Sequence, residues 1–205
     1  MERMSITAED ADAAGRAVEA AVDPAVESRL LQAAQNARTS RQRLFWLQRA
    51  ADLVLDAAQR TLDLPCSSGC SFCCHLPLPI TGIEARALAD HSGRRLLRPP
   101  AAAITVRRGI EDAALADKAQ LDAVTAFTGQ PCPFLEDGRC SVYVVRPLAC
   151  RQHITLERTS DPCRLDNHGG KTGQVATRLQ VLDRSVFQLM TLGLEQHVAD
   201  IRQWF

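Results

Sequence analysis

Apolar positions spaced by three and four run through residues 1–63, the periodicity of a buried helical face, so helix is expected throughout this segment. Asp23-Pro24 marks an internal boundary, an N-cap followed by proline at the first helical position, which ends one short helix and starts another. From about Ser40, the recurrence of Leu44, Leu47, Ala51, Val54, Leu55, Ala58 and Leu62 predicts a longer helix that stops at Pro65. Thr81-Gly-Ile-Glu84 has the capping-box pattern and predicts a helix to about Asp90, with Gly93 beyond its end. Around Arg98-Pro99-Pro100 the pattern breaks into a loop. Another helix is expected from about Ile104 to Phe127, stopped by Gly129 and Pro131. The stretch CPFLEDGRC carries the tight-turn pair Asp137-Gly138, and the following SVYVV has strand composition, so a short hairpin is expected there. Gln174 to about Gln203 reads as a final helix with Val175, Leu179, Leu182, Val186 and Leu189 on one face. The expected fold class is mainly α, helices around a loop-rich module with a short β-hairpin. Its parts are an N-terminal helical segment (1–63), a cysteine-rich module (64–165) and a C-terminal helix packing on the same domain (166–205).

Composition narrows this picture. A chain of 205 residues suffices for one core. Its 46% hydrophobic content excludes a fully disordered chain, and six Phe, two Trp and one Tyr are few enough to favour helix over sheet. Lys plus Arg and Asp plus Glu are 24 each, so the basic excess of a nucleic-acid binder is missing and no nucleic-acid partner is expected. No run approaches the ~18 consecutive apolar residues of a membrane span. Residues 1–30 show no basic start followed by an apolar stretch, so the expectation is a soluble, cytoplasmic protein without a membrane partner.

That compartment decides how eight cysteines are read. Where thiols stay reduced, clustered cysteines point to metal ligands or redox groups rather than disulfides. The bland alternative, small buried hydrophobes, would scatter them. Here none precedes Cys66 or follows Cys163, and Cys66, Cys70, Cys73 and Cys74 share one short stretch. Cys132 and Cys140 bracket the expected hairpin, whose turn can return the second sulfur towards the first. Cys150 follows Arg146-Pro147 and Cys163 follows Asp161-Pro162, where proline restrains the loop. Zinc and iron-sulfur clusters take thiolates from tight loops of this kind, so most of these cysteines are expected to bind metal, in two four-coordinate sites or one cluster plus a second ion. In an extended chain Cys73 and Cys74 would face opposite ways, whereas in a helix residues 66, 70, 73 and 74 would share a face. The division of ligands between sites stays open at this level.

The cysteine block, followed by CPFLEDGRCSVY and RPLACR, resembles the YkgJ-type cysteine-cluster proteins over roughly residues 64–165. The resemblance rests on Cys132-Pro133-Phe134-Leu135, Cys140-Ser-Val-Tyr143 and Arg146-Pro147-x2-Cys150-Arg151, recurring in the family's order. It implies a zinc- or iron-chelating domain, an iron-sulfur cluster included, and makes Cys66, Cys70, Cys73, Cys74, Cys132, Cys140, Cys150 and Cys163 candidate ligands. Cys163 has no tight motif around it. A related cysteine block is associated with flagellin lysine methylation, but the resemblance carries no reaction over to this chain.

Several other signals weigh less. Cys66-x3-Cys70-x2-Cys73 is also the spacing of radical S-adenosylmethionine enzymes, but the alternating strands and helices of their barrel are not predicted downstream. Gly169-Gly-Lys171-Thr172 imitates the end of a phosphate-binding loop, yet Leu165 stands where the leading glycine belongs. Cys73-Cys74 is a minor candidate for a dithiol switch. His75 and His153 adjoin cysteine motifs and are read as supporting or surface residues, while His91, His168 and His197 have no ligand-like context. Among Arg139, Arg146, Arg151 and Arg164, Arg146 and Arg151 are favoured to offset thiolate charge or bond sulfur and backbone carbonyls. No catalytic residue stands out. Three functional classes remain: a metal-binding protein, an iron-sulfur redox or radical-type enzyme such as a protein-modifying one, and a metal-stabilised adaptor whose terminal helices bind a protein partner.

Overall fold

Local signals build the first half of the molecule. A computed structural model describes residues 8–67, 69–97, 104–106, 126–155, 160, 163–164 and 196–205. Helix α1 (Ala8–Ala21) is followed by α2 (Pro24–Gln35), whose N-cap Asp23 accepts from the Ala25 and Val26 amides, with Pro24 at the first position. Thr39 caps α3 (Ser40–Thr61), which buries Leu44, Leu47, Ala50, Ala51, Val54, Leu55, Ala57 and Ala58. The predicted apolar face is thus the buried one, packed against α1 and α2. Thr81 and Glu84 form the complete capping box of α4 (Gly82–Ser92), and Gly93 ends it in the left-handed conformation at φ 71°.

Two cores meet across α4. One is helical, centred on α3, and takes in Leu148 and Ile154, with Ile83 and Ala87 of α4 packed on it. The other contains Ala85 and Leu88 of α4 with Ile80, Phe134, Val142, Ala199, Ile201 and Trp204. Cys66 packs on the first core, Cys132 and Cys140 on the second. These cysteines therefore flank the seam from both sides.

The molecule is mainly helical with small antiparallel sheets. Strands β1 (Pro79–Thr81), β2 (Ile104–Val106) and β5 (Gln196–Asp200) form a sheet in the order β1-β5-β2, with Ile80 opposite Ala199 and Thr105 opposite His197. The expected hairpin is β3 (Leu135–Glu136) with β4 (Arg139–Cys140). Asp137 and Gly138 turn it at φ 48° and 73°, the pair of positive values of a type I′ turn.

Three expectations are corrected. Gln196–Asp200 is the central strand rather than part of the final helix, and only the single turn α6 (Ile201–Trp204) is helical after it. Ile104–Val106 is a strand rather than a helix start. In both cases distant strands satisfy the backbone, and pairing overrides local preference. The SVYVV stretch is no strand either: Tyr143–Val145 forms a 3-10 turn. Arg151 donates to Val144 O, and Gln48 to Val145 O and Arg146 O, so side chains take the carbonyls a neighbouring strand would have used. Ala126 and Phe127 are helical as expected. The rest of the two expected helices, residues 107–125 and 174–195, and the loop at 98–100 lie outside the described residues.

Candidate metal centre

The first cysteine block is loop and then a tight turn. Residues 63–67 and 69–71 are non-helical, Gly69 has φ 97°, and Phe72–His75 forms a 3-10 helix. Neither the extended nor the α-helical alternative holds for Cys73 and Cys74. Successive side chains of a 3-10 turn diverge by about 120°, and the two thiols hydrogen-bond to each other. Cys132 lies just before the hairpin and Cys140 on β4. Cys150 sits within the short helix α5 (Leu148–Gln152), which opens after Pro147. Cys163 donates its amide to Ser160 O at 3.0 Å. The two distant blocks are tied by backbone: Cys132 N–H donates to Cys74 O and Gly129 N–H to His75 O, each at 2.8 Å.

The thiols lie within reach of one another's charge in two overlapping groups. Cys163 feels Cys66, Cys73 and Cys70, and Cys66 feels Cys70 and Cys73. Cys150 feels Cys73, Cys132 and Cys140, while Cys74 feels Cys73, Cys132 and Cys150. Burial pushes the Cys66, Cys132, Cys140 and Cys150 thiols up, and Cys163 up to about 12. Cys73 moves the other way, to about 7, because the Cys74 thiol donates to it, with the Arg146 charge assisting. Cys74 rises correspondingly, since it holds the shared proton.

Against burial, the backbone supplies hydrogen bonds that favour sulfur as an anion. Thr155 N–H donates to Cys66, Phe134 N–H to Cys132 and Val142 N–H to Cys140. The last two run from a cysteine to the residue two positions on, so each loop curls its own amides onto its sulfur. Half-buried sulfurs equipped for charge have the chemistry that zinc or iron requires. Among the described residues, no three His, Cys, Asp or Glu side chains converge closely enough to hold an ion between them. The thiols are gathered in one region but not closed on a point.

Arg146 and Arg151 divide the labour expected of them. The Arg146 guanidinium lies 4.0 Å from the centre of the Tyr143 ring, its Nε is buried with no hydrogen-bond partner among the described residues, and its charge lowers Cys73, Cys140 and Cys150. Arg151, whose side chain is 5% exposed, instead donates to Arg146 O, Val144 O and the Asp52 carboxylate, fastening α5 to α3. Arg164 lies 5.6 Å from the Phe72 ring centre, beside the first block.

Three residues around the site were not singled out by sequence reasoning for this role. Glu84 completes the predicted capping box, but its other oxygen accepts Leu148 N–H at 2.9 Å and so anchors the helix bearing Cys150. Asp200 and Arg202 hold the Cys74 and Cys132 segments from the far end of the chain. Asp200-Ile-Arg-Gln203 is itself a capping box, a local signal that would have ended the final helix before Asp200.

The family model CxxCxxCC, titled "Putative zinc- or iron-chelating domain", matches residues 65–168. No curated protein and no solved structure gave a match.

Proposed function

The chain belongs to the CxxCxxCC family of zinc- or iron-chelating domains, and from that premise we propose that its eight cysteines bind zinc or iron as two thiolate sites meeting at Cys73-Cys74. Cys66, Cys70, Cys73 and Cys163 make one set; Cys74, Cys132, Cys140 and Cys150 make the other. The observation that carries this reading is the donation of backbone N–H groups to the half-buried sulfurs of Cys66, Cys132 and Cys140, which favours thiolates that a cation would hold charged. The mutual electrostatic contacts support the division for every thiol but Cys73, which acts on members of both sets and shares a proton with Cys74, so this pair lies where the two sites meet. Binding would draw each set together, the ion acting as a staple for the module at residues 64–165 between the N-terminal helices and the segment 166–205. Eight thiolates on two Zn²⁺ ions would take the formal charge from zero to about −4, beside Arg146.

The described strands pair only antiparallel, which lends the radical S-adenosylmethionine reading no support. Anaerobic purification followed by elemental analysis and a visible spectrum tests the proposal. Two equivalents of colourless zinc are expected, or, if the sets hold iron-sulfur clusters, two or four irons per cluster and a coloured protein. A folded, metal-free protein that takes up neither metal refutes it. Cys70→Ser and Cys140→Ser should each weaken one equivalent and spare the other; loss of both equivalents in either variant overturns the division.

A further inference from the structure

Arg202 uses its whole guanidinium on backbone carbonyls and one carboxylate, all of them beside the cysteine blocks. Its Nη2 donates to Cys74 O and Leu76 O, each at 3.1 Å, and to Gln130 O; its Nε donates to Gln130 O at 3.0 Å and Pro131 O at 3.3 Å. Nη1 is turned the other way, onto both oxygens of Asp200 at 3.0 and 3.2 Å. Asp200 Oδ2 also accepts Leu78 N–H at 2.6 Å, and Oδ1 accepts Arg202 N–H at 2.9 Å. The Arg202 side chain is 7% exposed and that of Asp200 is 0% exposed. Both belong to the β5-α6 element, beyond residue 168 where the family match ends.

One atom focuses the arrangement. Cys74 O accepts from Cys132 N–H and from Arg202 Nη2, so two cysteines distant in sequence share a single carbonyl and the arginine takes its remaining acceptor capacity. A buried ion pair of this kind is weak evidence for stability, because desolvation offsets its attraction. A planar fork held from behind by a carboxylate, with its open edge across two chain segments, is well suited to setting their separation. Lysine, with one compact ammonium, cannot span those carbonyls.

The geometry points to Arg202, oriented by Asp200, as a positioning residue that holds the Cys74 and Cys132 segments at the spacing needed for a shared metal. This inference rests on the proposed metal reading. It adds that the second thiolate set is completed by a residue outside the matched domain. Arg202 acts through the backbone, so its removal should loosen one ion selectively.

The full-length protein as purified, Arg202→Lys, Arg202→Ala and a Leu88→Ala control are compared. Leu88 lies in the same core as Ile201 and Trp204, so its truncation lowers stability without touching the carbonyls. Two readouts are taken: release of metal to a chromogenic chelator, and hydrogen exchange at the Cys132 and Gly129 amides of chelator-treated protein. In Arg202→Lys one of two equivalents should leave about 10–100-fold faster, the size of effect seen when groups supporting metal ligands are removed. Cys132 exchange should accelerate with it. Leu88→Ala should lower the urea midpoint yet leave release within about twofold. Wild-type release and exchange in Arg202→Lys overturn the inference, as does equal acceleration in Leu88→Ala. Should Arg202→Ala fail to fold, Arg202→Lys still decides. A wild-type chain that binds no metal refutes the metal reading, and amide exchange, which needs none, then judges the clamp on its own.

Discussion

Replacing Glu84 by glutamine isolates one hydrogen bond between two elements. Glu84 Oε2 accepts from Thr81 N–H and the Thr81 hydroxyl, while Oε1 accepts from Leu148 N–H, all at 2.9 Å and all buried. Glutamine keeps one acceptor, which can satisfy Thr81, and turns a donor towards Leu148 N–H. A buried donor left unpaired costs about 1–3 kcal/mol, and that is the loss expected for Glu84→Gln. Glu84→Ala orphans two backbone donors but removes a buried carboxylate that burial already disfavours, so about 2–4 kcal/mol is expected. Thr81→Ala, which removes only the local cap, should lose about 1 kcal/mol. Urea unfolding followed by far-ultraviolet circular dichroism, with chelator present, measures all three. Burial raises the Glu84 carboxyl despite its three donors. Its folded pKa therefore lies above its unfolded value, so its contribution is complete at low pH and is lost as pH rises through the folded pKa. Glutamine does not titrate, so the deficit of Glu84→Gln relative to the wild type should widen from pH 8 towards pH 5. A deficit under about 0.5 kcal/mol, the size of an ordinary surface substitution, would refute the anchoring of α5 by Glu84.

Other outcomes follow from neighbouring contacts. Arg151→Ala leaves the partly exposed Asp52 carboxylate to water and two carbonyls without their donor, and should cost about 1–3 kcal/mol in urea unfolding, with Arg151→Lys recovering less than half; a loss under about 0.5 kcal/mol would reject the tie between α5 and α3. The metal-free protein should lose stability as pH rises above about 8. Six thiols have folded pKa values raised above the unfolded value, so their contribution is present below the ordinary thiol range and lost above it, with Cys73 alone opposing near 7. Metal-loaded protein should show the reverse, weakening towards acid as protons compete for the thiolates. Parallel urea titrations from pH 6 to 10, with metal and with chelator under reducing conditions, check both slopes, and a metal-free protein that gains stability towards pH 10 contradicts the thiol assignment.

Helices α1 to α4 and the β3-β4 turn were legible because their determinants are local: Asp23-Pro24, the α3 stripe, Thr81 with Glu84, and Asp137-Gly138 each act within a few residues. The sheet was not, because β5 takes its partners from residues 79–81 and 104–106 and nothing within Gln196–Asp200 names them. The same limit applies around the thiols. Clustering of eight cysteines and their spacing marked a metal-binding module by themselves, since sulfur donors must come from short, turn-prone loops to reach one ion. Tertiary structure alone decided which thiols neighbour which, that Arg146 lends them its charge while Arg151 ties α5 to α3, and that Glu84 and Arg202 hold the segments that carry Cys150, Cys74 and Cys132. Donor identity is a property of the side chain, whereas burial, field and hydrogen-bond partner depend on where distant segments come to rest.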